Sequence, residues 1–327
     1  MSAPVPQLTI EVLLTPEDRR QALLDDARRG LADHPKSISP VWFYDERGSE
    51  LFEQITRLPE YYPTRTERRL LERYADDIAR RADSDTLVEL GSGSSEKTIL
   101  LLDAMAATGK FAQYCPLDVS EEALIAAAEG VAAAYPGVRI HALVGDFHRH
   151  LANMPEGERR TIAFLGSTIG NLDPAERRRF LVDLDRALGP QDHLLLGVDL
   201  VKDPSRLVAA YDDASGVTAA FNKNALVGLN NGLGANFRLE LFQHVAKWDE
   251  RNRWIEMRLR ALSEHTVRIA ALDLEIHFER GEELRTEISS KFTADGVVAE
   301  LTDAGFIVEK TWEDPGEFLL LLARPRS

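Results

Sequence analysis

Residues 86–98 read Thr-Leu-Val-Glu-Leu-Gly-Ser-Gly-Ser-Ser-Glu-Lys-Thr. The apolar run Leu87-Val88-Glu89-Leu90 predicts a buried strand, Gly91-Ser92-Gly93 a tight turn, and a helix is expected to open near Ser94 or Ser95. Glycines let a backbone approach a ligand, and a helix N-terminus offers free N–H groups, so this arrangement can receive a nucleotide-like cofactor. Two phosphate-bearing choices fail on spacing. A dinucleotide fingerprint needs a third glycine where Glu96 stands, which argues against a nicotinamide oxidoreductase. A P-loop needs a longer loop ending in Gly-Lys-Ser/Thr, whereas Lys97-Thr98 follows a glutamate.

An acidic residue in the loop suits a ligand without phosphates, and a cationic one more so. S-adenosylmethionine (SAM) has no phosphate and carries a sulfonium. The run Glu89-Leu90-Gly91-Ser92-Gly93 resembles the first motif of SAM-dependent methyltransferases. A strand–turn–helix without ligand is the plain alternative.

Other candidates follow later strands. Asp118 lies 27 residues after Gly91, where a carboxylate can accept both ribose hydroxyls of a nucleoside or simply cap the next helix. In Gly145-Asp146-Phe147, the aspartate can accept from an adenine amino group and the ring can pack on the base; the plain reading is a turn. The loop Gly166-Ser167-Thr168-Ile169-Gly170-Asn171 combines close backbone approach with an amide that both donates and accepts. A methyl acceptor fits there, and so does a loop capping the next helix.

These residues need a parallel sheet behind them. Strands are expected near 85–90, 112–117, 138–143, 161–166 and 193–199, alternating with helices near 95–108, 120–134 and 174–188. That rhythm predicts a doubly wound α/β sheet, in which ligands bind beyond the carboxyl ends of the strands. Upstream, helices are expected over 15–33, over 48–58 and, after a loop at 61–66 with Thr66 as its cap, over 67–82. After Leu200 the rhythm changes to helices over about 203–234, then alternating strands at 255–259 and 272–278. A helix at 294–304 and strands at 306–312 and 317–323 close the chain, the two strands forming an edge hairpin. Residues 1–64 with 201–290 are thus read as a mixed α+β substrate-binding domain, and 65–200 with 291–327 as the cofactor domain.

The bulk properties agree with an enzyme. The chain has 327 residues, long enough for two domains, and 44% of them are hydrophobic, enough for real cores. With 39 basic and 54 acidic residues, a formal charge of −15 disfavours nucleic acid as a partner. The lone cysteine, Cys115, excludes an internal disulfide and is expected to be a buried thiol. The first residues lack the pattern of a signal peptide, and no apolar run of about 18 residues predicts a membrane span. A cytoplasmic protein without membrane contact is expected. His148 and His150 lack a third ligand, so no metal is expected, and no histidine is assigned a role. The tail Arg324-Pro325-Arg326-Ser327 is expected to fray.

If 286–290 is a strand, Glu287 and Ser289 share one face, where a carboxylate beside a hydroxyl can hold imidazole; a solvated strand face is the bland reading. Met257 shares its face with Ile255 and Leu259 and reads as core.

Taken together, the chain resembles the SAM-dependent histidine Nα-methyltransferases of ergothioneine biosynthesis, from about residue 35 to 323. Long segments carry the likeness: PKSISPVWFYDERGSELFEQITRLPEYYPTRTE, LVELGSGSSEKT, FLGSTIGNL, LVKDPSRLVAAYDDASGVTAAFN, HVAKW and TEISSKF. The resemblance implies a class I methyltransferase sheet whose Gly91, Lys97, Asp118, Asp146 and Phe147 contact SAM. It implies a histidine site between the domains, with Tyr61, Asn171 and Tyr211 on the amino and carboxylate groups. Glu287 and Ser289 would hold the imidazole, Met257 would lie beside it, and Tyr44 and Gly166 would line the amine. Three transfers would yield hercynine, the trimethyl betaine, from a monomer without metal. Tyr44, Asn171 and the Gly166 carbonyl are the expected orienting groups, because the nucleophile is a neutral amine that needs aiming more than a strong base. Two rivals stand beside this reading: an Nα-methyltransferase of another amino acid such as tryptophan, and a SAM-binding protein without turnover.

Overall fold

The computed structural model describes residues 7–326. The chain runs β1 (Leu8–Val12), α1 (Pro16–Gly30), α2 (Glu46–Thr56), α3 (Pro63–Ala82), β2 (Thr86–Leu90), α4 (Ile99–Ala107), β3 (Gln113–Asp118) and α5 (Glu121–Ala134). It continues with β4 (Arg139–Val144), α6 (Phe147–His150), β5 (Arg160–Phe164), α7 (Pro174–Ala187), β6 (His193–Asp199), α8 (Pro204–Tyr211) and α9 (Val217–Leu233). Then come β7 (Phe242–Asp249), β8 (Trp254–Ala261), β9 (His265–Ile269), β10 (Leu274–Phe278), β11 (Glu283–Ser290), α10 (Ala294–Asp303), β12 (Phe306–Asp314) and β13 (Phe318–Pro325). Two compact units result. The first holds the described residues up to Leu13, Pro63–Val201 and Lys291 onward; the second holds Leu14–Tyr62 and Lys202–Ser290.

The first unit is the expected doubly wound sheet. Its eight strands run β1-β4-β3-β2-β5-β6-β13-β12. The β1-to-β6 pairings are parallel, and β13 and β12 join antiparallel as the edge hairpin. All five residues of β2 are buried, as a strand covered on both faces requires. One core, with Leu71, Leu87, Leu102, Leu124 and Leu320, lies under helices α3, α4 and α5. The other, with Val88, Phe164, Leu181, Leu301 and Leu319, lies under α7 and α10. From β2 the chain winds one way through β3 and β4, then returns to β5 and β6 on the other side. The carboxyl ends of β2 and β5 therefore flank the topological switch point, where such sheets bind ligands.

Several boundaries differ from expectation. Sequence patterning groups residues 1–64 with the insertion, yet Leu8–Val12 pairs with β4, Leu8 opposite Ile140. Its apolar, β-branched alternation suits an edge strand: Ile10 and Val12 stay exposed while β4 satisfies the backbone. The expected loop at 61–66 is shorter, because Pro63 opens α3, and Thr66 is buried inside the helix rather than capping it. Helix α4 opens at Ile99, not at Ser94 or Ser95, because Ser95 adopts φ +55° and continues the turn. Nor does the tail fray through Arg326: β13 extends to Pro325, and the Arg326 amide bonds Gly305 O at 2.8 Å. Ser327 and the first six residues, on which the signal-peptide reading partly rests, lie outside the described residues.

The second unit packs α1, α2, α8 and α9 with a three-stranded antiparallel sheet, β11-β8-β7, and a two-stranded one, β10-β9. Strands β7 and β9 were not expected. On β8, Ile255, Met257 and Leu259 face the core, while Glu256, Arg258 and Arg260 share a charged face with Glu283. Burial would raise the Glu283 carboxyl, but Lys247, Arg260 and Arg258 outweigh it and hold it at about 2.

Candidate active site

Strand β2 ends in a turn whose amides are held by the neighbouring strand. Gly91 N bonds Leu117 O at 2.8 Å, and Gly93 N bonds Asp118 Oδ2 at 2.8 Å. Gly91 and Gly93 have φ +69° and +51°, a region costly to other residues. A Cβ on either would meet nothing within 4 Å, so the turn is open. Ser92 Oγ is buried and has no hydrogen-bond partner among the described residues. Asp118 Oδ1 accepts from Ser120 N at 2.9 Å, so the carboxylate organises the turn and the start of α5 together. Burial raises its pKa against the pull of the Ser120 and Gly93 amides. A carboxylate offers about four acceptor sites, so Asp118 keeps capacity for a ligand hydroxyl.

Two buried glutamates support the turn from beneath. Glu89 accepts from Thr98 Oγ1 and Tyr114 Oη, each at 2.5 Å, and burial lifts its pKa to about 7 despite those bonds. Glu67, on α3, accepts Gly166 N at 2.7 Å on one oxygen and Lys97 Nζ at 2.5 Å on the other. Lys97 is thus committed to Glu67 while its side chain stays 23% exposed.

The next strand ends complete this unit's set. Asp146 caps α6, accepting His148 N at 2.9 Å. Phe147 packs edge-on against Phe164 and Phe180, with centroids 5.1 and 5.7 Å away. After β5, Gly166 and Ser167 both have positive φ, +75° and +58°. Ser167 Oγ accepts the Asp199 amide at 3.0 Å. Half-buried Asn171 makes no side-chain hydrogen bond among the described residues, so its amide remains available for a ligand.

The second unit gathers the other candidates. Tyr61 and Tyr211 stack edge-to-face at 6.1 Å, and Tyr211 Oη lies 2.8 Å from Ser289 Oγ. Tyr44 reaches the same aromatic cluster through Phe52 and Phe221. On β11, Arg285 pairs with Arg258 but Glu287 pairs with Met257, so Thr286 is an extra residue, a β-bulge. Opposed residues on paired strands share a face. The bulge therefore turns half-buried Glu287 and buried Ser289 onto the face of Met257 and Ile255. Among the described residues, no group of three His, Cys, Asp or Glu side chains is placed to hold a metal ion. No helix among them is long and apolar enough to cross a membrane.

The sequence profile of the SAM-dependent, histidine-specific methyltransferases matches residues 23–325. This chain belongs to that family. It is 53% identical to the histidine N-alpha-methyltransferase of Mycolicibacterium smegmatis, covering 97% of this chain and 99% of that one. With the protein of the same name from Mycobacterium tuberculosis it shares 51%, over 92% and 94% of the two chains. Ergothioneine biosynthesis protein 1 of Neurospora crassa is 37% identical over 64% of this chain and 24% of its own.

Within this histidine-specific methyltransferase, sequence reasoning missed Glu67 and the Glu89–Tyr114 pair. A glutamate in an amphipathic helix gives no sign that it is buried beneath a distant loop. His244, Asn222 and Thr286 were missed likewise, although each lies in or beside a family-like segment.

Proposed function

We propose that this enzyme transfers methyl groups from SAM to the α-amino group of L-histidine, three rounds giving hercynine in ergothioneine biosynthesis. The 53% identity to a histidine N-alpha-methyltransferase across nearly the whole of both chains carries the reading. A cytoplasmic, monomeric working state without metal belongs to the same proposal.

The open glycine turn, the strand-end carboxylate of Asp118 and the partnerless Ser92 hydroxyl fit SAM. Gly91, Lys97, Asp118, Asp146 and Phe147 are the proposed contacts. Bound there, SAM supplies an electrophilic methyl on a sulfonium leaving group.

The acceptor must be a neutral amine, because an ammonium has no lone pair. A free α-amino group has a pKa of about 8 or above, so a modest deprotonated fraction exists at neutral pH. Orientation is then the main work, and proximity can lower a barrier by about 7–11 kcal/mol in ideal cases. Asn171, with its uncommitted amide, the Gly166 carbonyl and Tyr44 are the proposed orienting groups. Tyr61 and Tyr211 take the amino-acid end, and tyrosine faces tolerate the cationic trimethyl product. Glu287 and Ser289 receive the two imidazole nitrogens beside Met257; indole, with one N–H, would leave one of them unmatched.

Incubation with SAM and histidine should give mass gains of one, two and three methyl groups. Methylation of tryptophan or another amino acid in preference to histidine would overturn the assignment, and tight SAM binding without any turnover would favour a binding protein.

A further inference from the structure

Thr286, the bulge residue, is held from behind by a chain of buried side chains. His244 Nε2 lies 2.8 Å from the Tyr211 carbonyl, which can only accept, so this nitrogen carries the hydrogen. Nδ1 is then a lone pair, and it accepts from Asn222 Nδ2 at 2.8 Å. The same Asn222 nitrogen donates to Arg258 O at 3.1 Å, which fixes the orientation of its amide. Asn222 Oδ1 faces Thr286 Oγ1 at 2.5 Å, so the Thr286 hydroxyl donates. Thr286 Oγ1 also lies 2.9 Å from Met257 O, on the neighbouring strand. Asn222 and Thr286 are fully buried and His244 nearly so. Burial keeps the imidazole pKa below its usual range, against the pull of the Tyr211 carbonyl and Asp212, which suits a neutral ring.

Both ends of this chain reach proposed substrate residues. At one end it grips the backbone of Tyr211, whose hydroxyl bonds Ser289. At the other it pins the residue that shifts the β11 register. If Thr286 were instead an ordinary paired residue, with no bulge, alternation would turn Glu287 to the face of Glu283 and Arg285.

We propose that His244, Asn222 and Thr286 are positioning residues that set Glu287 and Ser289 for the substrate imidazole, and so determine histidine specificity without touching substrate. This rests on Glu287 being the imidazole partner.

The test uses the full chain, steady-state methyl transfer for the histidine KM, and calorimetry for the SAM Kd. Thr286→Val should raise the histidine KM about tenfold, the loss of roughly one oriented hydrogen bond, with the SAM Kd changed less than about twofold. Thr286→Ser, which keeps the hydroxyl, should restore the KM to near the wild-type value. In a Glu287→Ala background, Thr286→Val should add less than about twofold, since residues acting as a unit are not additive. An unchanged KM in Thr286→Val, or a full further loss in the Glu287→Ala background, overturns the proposal. If Glu287→Ala itself leaves the KM unchanged, the imidazole assignment fails and takes this inference with it. Nitrogen-15 NMR of the wild-type imidazoles provides a check independent of variant folding: His244 must be the neutral Nε2–H tautomer at pH 7.5, and an Nδ1–H or doubly protonated ring refutes the proposal.

Discussion

Glu67 reaches from α3 to accept the Gly166 amide at 2.7 Å, although 99 residues separate them. Its second oxygen holds Lys97 at 2.5 Å, so one carboxylate buried away from solvent ties the loop after β5 to the loop after β2. Removing one partner of such a pair leaves the other charge uncompensated. Glu67→Ala should destabilise the protein by about 3–5 kcal/mol in urea unfolding. A loss below about 1 kcal/mol would show that the pair is screened.

Gly93 should tolerate a methyl group sterically but not conformationally. Its φ of +51° costs a non-glycine residue about 1–2 kcal/mol, while a Cβ would meet nothing within 4 Å. Gly93→Ala is therefore expected to lower stability by that amount and to weaken SAM binding by forcing the turn to relax. Thermal unfolding and calorimetry check the two parts separately, and unaltered SAM affinity would remove the turn from the cofactor site.

Glu287→Ala should abolish most histidine turnover and leave SAM affinity within about twofold, because the side chain belongs to the unit that does not carry the glycine turn. Calorimetry showing SAM binding lost and histidine binding intact would contradict the assignment.

Tyr211→Phe keeps the ring that stacks on Tyr61 and removes the hydroxyl 2.8 Å from Ser289. A net hydrogen bond is worth about 1 kcal/mol, so the variant should lose about that much stability, and the histidine KM should rise about fivefold if the bond also orients Ser289 for substrate. Equal KM values for wild type and variant would mean that the Ser289 hydroxyl needs no such partner.

Glu89 makes stability depend on pH. Burial raises its pKa from 4.5 to about 7, so the native state holds its proton more tightly than the unfolded chain does. Its contribution is present in full below about pH 4.5 and is lost as pH rises to about 7, on the order of 3 kcal/mol across that window. Glu89→Gln should flatten that slope. Urea titrations from pH 4.5 to 7.5 on both proteins give the comparison, and parallel curves would refute the shifted ionisation.

Much of the first unit was legible because its signals are local. A buried run, two glycines and a helix start each act within a dozen residues, and their order imposed the doubly wound sheet. Candidate positions followed from that sheet, since strand ends are where its ligands bind. Edges were harder. Leu8–Val12 carries too few residues to announce its partner, and β4 lies more than 120 residues away. Pro63 displaced the expected cap because a proline suited to the first turn outranked a threonine three residues later.

By itself, the sequence determined the glycine turn, the parallel sheet and the residue types of the site, all consequences of short-range conformational preference and hydrophobic periodicity. Only the tertiary structure decided which way Glu287 and Ser289 face. Strand alternation has a period of two, so one extra residue reverses every side chain beyond it. Thr286 is that residue, and it is held by Asn222, 64 positions earlier, in a contact that no local pattern encodes.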